Sequence, residues 1–211
     1  MTSLPRPCLM LVTEPSPRLP EIVAEAVAGG VDIVQLRDKT AEPVTLFETA
    51  WELRGRIGGK ALFVINGRLG DILVRKTDAN GVHQPASIAS ARALIGDRLI
   101  GCSVHSLGEA QAAAEEGTDY IIAGTIFASQ SHPDIAPAGL DFLRDVCAAV
   151  ALPVLAIGGV TPKNVADCVN VGAAGVAVLS PLMRAADPKA TAQTYRTALD
   201  AAWEERECSL S

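Results

Sequence analysis

The 211-residue chain has no CxxC pair, no close Cys/His cluster, and none of the HExxH, GxGxxG or GxxxxGK[ST] signatures. Those absences leave no local motif for zinc, dinucleotide or P-loop nucleotide chemistry. The five cysteines (Cys8, Cys102, Cys147, Cys168 and Cys208) are odd in number and dispersed. They read as free thiols in a reducing cytoplasm. No apolar run reaches the roughly 18–20 residues of a membrane span. Met1 to Pro7 carries Arg6 but lacks the apolar stretch of a signal peptide. A basic excess is missing too: 18 Lys and Arg stand against 24 Asp and Glu, a net charge of −6. That balance argues against a nucleic-acid surface, which needs a basic stripe. Small phosphorylated ligands stay open, because a few local donors bind them. No linker, low-complexity tract or composition shift divides the sequence.

What is present is alternation. The hydrophobic fraction is 49% and the charged fraction 20%, enough apolar material for a core. Eight short apolar runs, rich in β-branched residues, recur: 8–13, 31–36, 61–65, 81–83, 99–104, 120–123, 153–157 and 175–179. Near-continuous apolar character suits parallel strands buried on both faces. Between them lie helical patterns at 19–28, 43–57, 87–95, 106–116, 140–150, 161–171 and 188–204, with only a weak, short one after Arg68. Ser106 with Glu109 reads as a capping box, and Thr161-Pro162 as a cap followed by a first-turn proline. Gly117 and Gly172 sit where helices should stop. Eight β-α alternations in this length predict a single (β/α)8 TIM barrel over 1–211, with the core at about 8–185 and a loose tail from Arg206 to Ser211. A doubly wound sheet is the alternative.

Barrel sites lie at the C-terminal ends of the strands. There the sequence places Thr13 and Glu14, then Gln35, Arg37 and Lys39, then Asn66 and Arg68. His83 and Gln84, Ser103 and His105, and Thr125 with Ser129, Ser131 and His132 follow. Gly158, Gly159 and Ser180 complete the set. Gln35, Arg37 and Lys39 alternate, so an extended strand gives them one face. Two cations there are expensive unless they meet an anion, phosphate or carboxylate, or pair with Asp32, Asp38 or Glu42. Gly158-Gly159, with Ser180 beside it, allows close backbone approach to a phosphate. His105 suits acid/base chemistry or a capping role, and His83 is similar.

Taken together, these segments resemble the thiamine-phosphate synthase/TenI superfamily from about Leu9 to Ala185. The resemblance rests on Met10–Thr13, Val34–Lys39, Val64–Arg68, Gly81–His83, Gly101–Ser106, Gly124–Phe127, Ala156–Val160 and Gly175–Ser180. It implies a small phosphorylated heterocycle as partner: a thiazole phosphate and, in one branch, a pyrimidine methyl diphosphate. The synthase branch joins the two with Mg²⁺ and releases pyrophosphate. The TenI branch moves a proton on a thiazole carboxylate phosphate without a metal. Two departures favour the tautomerase expectation. The synthase branch's magnesium aspartates are replaced by Gly67 and by Gln84–Ile88, which has no carboxylate, and its Thr-x-Thr-Lys pattern becomes Ser129-Gln130-Ser131-His132. Against it, TenI proteins carry a histidine where this chain has Thr125. The expectation is therefore a cytoplasmic thiazole tautomerase needing no cofactor. His105, Arg37 and Lys39 would be its catalytic groups. Gln35, Asn66, Ser103, Thr125, Ser129, Ser131, His132, Gly158, Gly159 and Ser180 would bind substrate. No residue is assigned to a metal, and Mg²⁺ enters only on the synthase reading. The alternatives are the synthase itself and a non-catalytic precursor-binding protein. A homodimer is in keeping with the prevalence of C2 pairs.

Overall fold

The computed structural model describes residues 3–67, 70–129 and 136–210. Its strands are β1 Cys8–Val12, β2 Ile33–Leu36, β3 Leu62–Asn66, β4 Gly81–His83, β5 Leu99–Val104, β6 Tyr120–Gly124, β7 Val154–Ile157 and β8 Gly175–Val178. Each pairs in parallel with the next and β8 pairs with β1, so the sheet closes into a barrel. The helices are α1 Leu19–Ala28, α2 Pro43–Ile57, α3 Gly70–Thr77, α4 Ile88–Ile95, α5 Leu107–Glu115, α6 Gly139–Ala149, α7 Val165–Asn170, α8 Ser180–Met183 and α9 Pro188–Leu210. This is the (β/α)8 barrel, and the doubly wound alternative falls.

Strand alternation splits the core in two. Leu9, Leu11, Val34, Phe63 and Ile65 face outward into the layer beneath the helices. Cys8, Met10, Val12, Ile33, Val64, Leu99, Tyr120, Ile122 and Leu155 fill the barrel interior. Continuing the inward rows upward delivers Gln35, Asn66, His83 and Ser103 to the C-terminal end, where the packing turns from apolar to polar.

An ionic clamp ties α9 to the first strands. Asp32 accepts 2.8 Å bonds from the Leu9 amide and from Arg196, which also donates to the Pro7 carbonyl at 3.2 Å. Asp32 is therefore not a partner for Arg37 or Lys39.

Three local expectations change. Asn164, not Thr161, precedes α7: its Oδ1 accepts from the Thr161 amide at 2.7 Å, which holds Thr161-Pro162 in a turn before the helix. The tail expected to be loose is helical through Leu210. There Trp203 donates to Glu207 at 2.9 Å, and the Arg206 guanidinium lies 5.3 Å from the Trp203 ring centre. The short helix α8 also adds to the predicted elements. Among the described residues, no helix is long and apolar enough to cross a membrane.

Candidate active site

Gln35 is buried at the end of β2, and its Nε2 donates to Asn66 Oδ1 on β3 at 3.1 Å. The bond fixes which face each amide turns to the mouth. One residue past β2, the Arg37 amide donates to Thr13 Oγ1 at 3.0 Å, locking the β2 exit onto that of β1. The strand ends at Leu36, and Asp38 builds a turn beyond it, its Oδ1 accepting from the Thr40 amide, the Thr40 hydroxyl and the Ala41 amide, each at 2.9 Å. Burial pushes the Asp38 carboxyl up a little, and these three bonds outweigh it, holding the group below its ordinary range. The turn takes Lys39 out of the alternation into solvent, so the shared face expected for Gln35, Arg37 and Lys39 does not extend to Lys39. Neither Arg37 nor Lys39 forms an ion pair with any described residue.

His83 is buried, not free to exchange protons with a substrate as first read. Nδ1 lies 3.2 Å from the Tyr120 hydroxyl and Nε2 lies 2.9 Å from Ser103 Oγ. Burial first, and the Arg37 charge second, push its pKa down to about 3 from an ordinary 6.5. Below about pH 6.5 the unfolded chain binds a proton that the folded chain refuses, so stability falls as pH drops from there toward about 3, by up to about 1.4 kcal/mol per unit. Denaturant titrations near pH 7 and near pH 5 should show this loss in the wild type and a shallower one in His83→Asn.

On β5, the Ser103 amide donates to Gln84 Oε1 at 2.9 Å, and the half-buried hydroxyl stands at the mouth. His105 Nδ1 is 2.6 Å from the Gly124 carbonyl, which only accepts, so Nδ1 carries a proton. The capping box forms with a shift: Ser106 Oγ accepts from the Glu109 amide at 3.2 Å, while Glu109 reaches the His105 amide at 2.7 Å.

The β6 and β7 exits are zipped together. The Ile126 amide donates to Ile157 O at 2.9 Å and the Phe127 amide to Gly158 O at 3.0 Å. A Cβ on Gly158 would meet Thr125 Cγ2 at 2.4 Å, and one on Gly159 the Ala128 carbonyl at 2.3 Å, with φ of +94° and +63° at the two glycines. Only glycine fits this crossing. The structure thus brings Thr125 against Gly158, with Ser129 further along the same loop and Ser180 at the end of neighbouring β8. Ser131 and His132 lie outside the described residues, as does Arg68.

Two residues that sequence reasoning missed complete the arrangement. Asn164 Nδ2 donates to the Gly159 carbonyl at 3.1 Å and so braces the glycine loop. Replacing Asn164 with alanine should cost about 1–2 kcal/mol, as read by denaturant titration. The other is Tyr120, whose signal was Gly101: a glycine inside a strand marks close approach of another group.

Among the described residues, the groups at the strand ends do not fit a protein-held magnesium ion. That ion favours carboxylate oxygens. Position 67 is glycine, 84–88 contain no carboxylate, Asp38 is engaged in its turn, and Glu14 pairs with Arg184 at 3.1 Å. Among the described residues, no group of three or more His, Cys, Asp or Glu side chains is placed to hold a metal.

A closed barrel with its polar layer at the C-terminal strand ends, a braced glycine loop after β7 and a short helix after β8 defines a (β/α)8-barrel enzyme. Residues 9–182 match the family described as thiamine monophosphate synthase. The thiamine-phosphate synthase of Chloroflexus aurantiacus is 41% identical over 181 residues, covering 83% of this chain and 82% of that protein. That of Natronomonas pharaonis is 43% identical over 178 residues, covering 80% and 82%. The chain spans only 53% of the similarly named protein of Thermosynechococcus vestitus, at 41% identity over 87% of its own length. Among solved structures, thiamine phosphate pyrophosphorylase from Pyrococcus furiosus superposes with a TM-score of 0.83 at 32% identity, covering 92% of this chain and 96% of that one. The chain belongs to the thiamine monophosphate synthase family.

Proposed function

We propose that the protein is a thiamine-phosphate synthase, which joins a pyrimidine methyl diphosphate to a thiazole phosphate and releases pyrophosphate. The observation that carries this is the similarity to thiamine-phosphate synthases, 41% and 43% identical over 83% and 80% of the chain, and a mouth with two separate places for anions accords with it. Arg37 and Lys39, unpaired among the described residues, stand after β2, and the glycine loop and Ser180 stand after β7 and β8. A condensation of two phosphorylated rings uses both places, but so would the carboxylate and phosphate of the tautomerase substrate, and it is the similarity to thiamine-phosphate synthases that favours the condensation.

In this reading the thiazole phosphate sits on the Gly158-Gly159 side. The diphosphate sits toward Arg37, with Lys39 contributing from the rim. Gln35 and Asn66 orient the polar groups of the substrate. Breakage of the C–O bond sends an electron pair to the departing pyrophosphate, whose growing charge the guanidinium stabilises. The thiazole nitrogen then supplies its lone pair to the methylene carbon to form the C–N bond. No step needs a general base, in keeping with a buried, neutral His83. The strong similarity to thiamine-phosphate synthases over most of the chain supports the same assignment over the tautomerase first expected. His105, oriented by its Nδ1 bond to the Gly124 carbonyl, is the observation that favours the tautomerase.

The test is to incubate the protein with both substrates and magnesium and to look for thiamine phosphate by chromatography. Product at sustained turnover supports the assignment. No product, from protein that binds the thiazole phosphate by calorimetry, removes it.

A further inference from the structure

Beneath the mouth lies a three-residue hydrogen-bonded chain whose direction is fixed by chemistry. Tyr120 begins β6 and projects inward across Gly101, the residue paired with it on β5. A Cβ there would sit 2.1 Å from Tyr120 Cζ, so the glycine makes the room through which the phenol reaches His83 on β4. His83 in turn pairs in register with Gly101. Ser103, two residues further along β5, lies one inward step nearer the mouth and meets the other nitrogen of the imidazole.

Among the described residues, the Tyr120 hydroxyl meets no hydrogen-bond acceptor other than His83 Nδ1. A buried hydroxyl proton without an acceptor is costly, so Tyr120 donates to Nδ1. Nδ1 must then be the lone-pair nitrogen of a neutral imidazole, and Nε2 carries the proton. Nε2–H donates to Ser103 Oγ. One of the two serine lone pairs is thereby occupied, and the hydroxyl proton must turn away from the imidazole, which leaves it free to point to the mouth.

We propose that Tyr120 and His83 are positioning residues that make Ser103 a hydrogen-bond donor, so that the site selects a substrate ring presenting an acceptor lone pair, such as an unprotonated aromatic nitrogen, at that place. An amino group or a protonated ring nitrogen would have to displace the hydroxyl proton from the mouth to reach the second serine lone pair, and would be disfavoured. The identity of the ring rests on the synthase reading, while the direction of the chain does not.

The experiment is long-range ¹H–¹⁵N NMR of the histidine rings in the ligand-free protein, with the His83 signals assigned by their loss in His83→Asn. The expected pattern is the Nε2–H tautomer, unchanged between about pH 5 and 8. In Tyr120→Phe the phenol proton is gone, and the Nε2–H preference should weaken or invert. An Nδ1–H tautomer in the wild type would overturn the proposal, and so would a Tyr120→Phe protein with an unchanged tautomer. These results are independent of turnover, so they stand apart from failure of the synthase assignment. If product forms, a second readout follows. Tyr120→Phe should lower kcat/KM about five- to tenfold in the wild-type background and have little effect in the Ser103→Ala background, because it acts through that hydroxyl. Equal losses in both backgrounds would reduce Tyr120 to a packing residue and contradict the inference.

Discussion

Gly101→Ala should destabilise the protein by about 3 kcal/mol or more, the upper range for overpacking a dense interior. The added methyl would lie 2.1 Å from Cζ and 2.5 Å from both Cε atoms of a fully buried tyrosine ring. Neither group can retreat easily. Gly101 is held in the sheet between β4 and β6, and Tyr120 is packed in the barrel interior. For a chain of this size the loss corresponds to a fall in Tm of about 6–12 °C. A second substitution checks the cause. Tyr120→Leu removes the ring that the methyl strikes, so the double variant should recover part of the loss that Gly101→Ala inflicts alone. If Gly101→Ala melts within about 1 °C of the wild type, the packing described for the barrel interior is wrong.

The second large effect falls on turnover. Arg37→Ala should lower kcat for thiamine phosphate formation by about 10²–10³-fold, the usual consequence of removing one donor aimed at developing negative charge. Its stability should change by less than about 0.5 kcal/mol, because the guanidinium forms no ion pair with the described residues. Lys39→Ala should cost far less, since Lys39 stands in solvent beyond the Asp38 turn. Equal losses for the two variants would mean that the anion is gripped at the rim.

How much of this could be read from the sequence depended on the range of the interaction involved. The strands were legible because burial on both faces leaves a continuous apolar run, and the bounds of α1 follow from its apolar spacing, those of α2 from its apolar spacing and its first-turn Pro43. The start of α7 was misplaced because a Thr-Pro cap and an Asn-braced turn share local chemistry, and only the bond from Asn164 to Gly159 separates them. Candidate residues at the strand ends were visible by position. Their partners were not. His83 looked like an acid/base candidate, and only the closed barrel shows Tyr120 and Ser103 on either side of its ring. Lys39 looked like a site-facing cation until the side chain of Asp38 turned the backbone. Side-chain hydrogen bonds across strands 20 or 37 residues apart leave no periodic trace in a sequence.

The most direct measurement counts both products. With the pyrimidine methyl diphosphate, the thiazole phosphate and magnesium present, thiamine phosphate and pyrophosphate are quantified together over many turnovers. Two anion places serving one displacement predict equimolar accumulation of the two, with neither appearing when one substrate is left out. Pyrophosphate without thiamine phosphate, or a bound thiazole phosphate with neither product, would contradict the account.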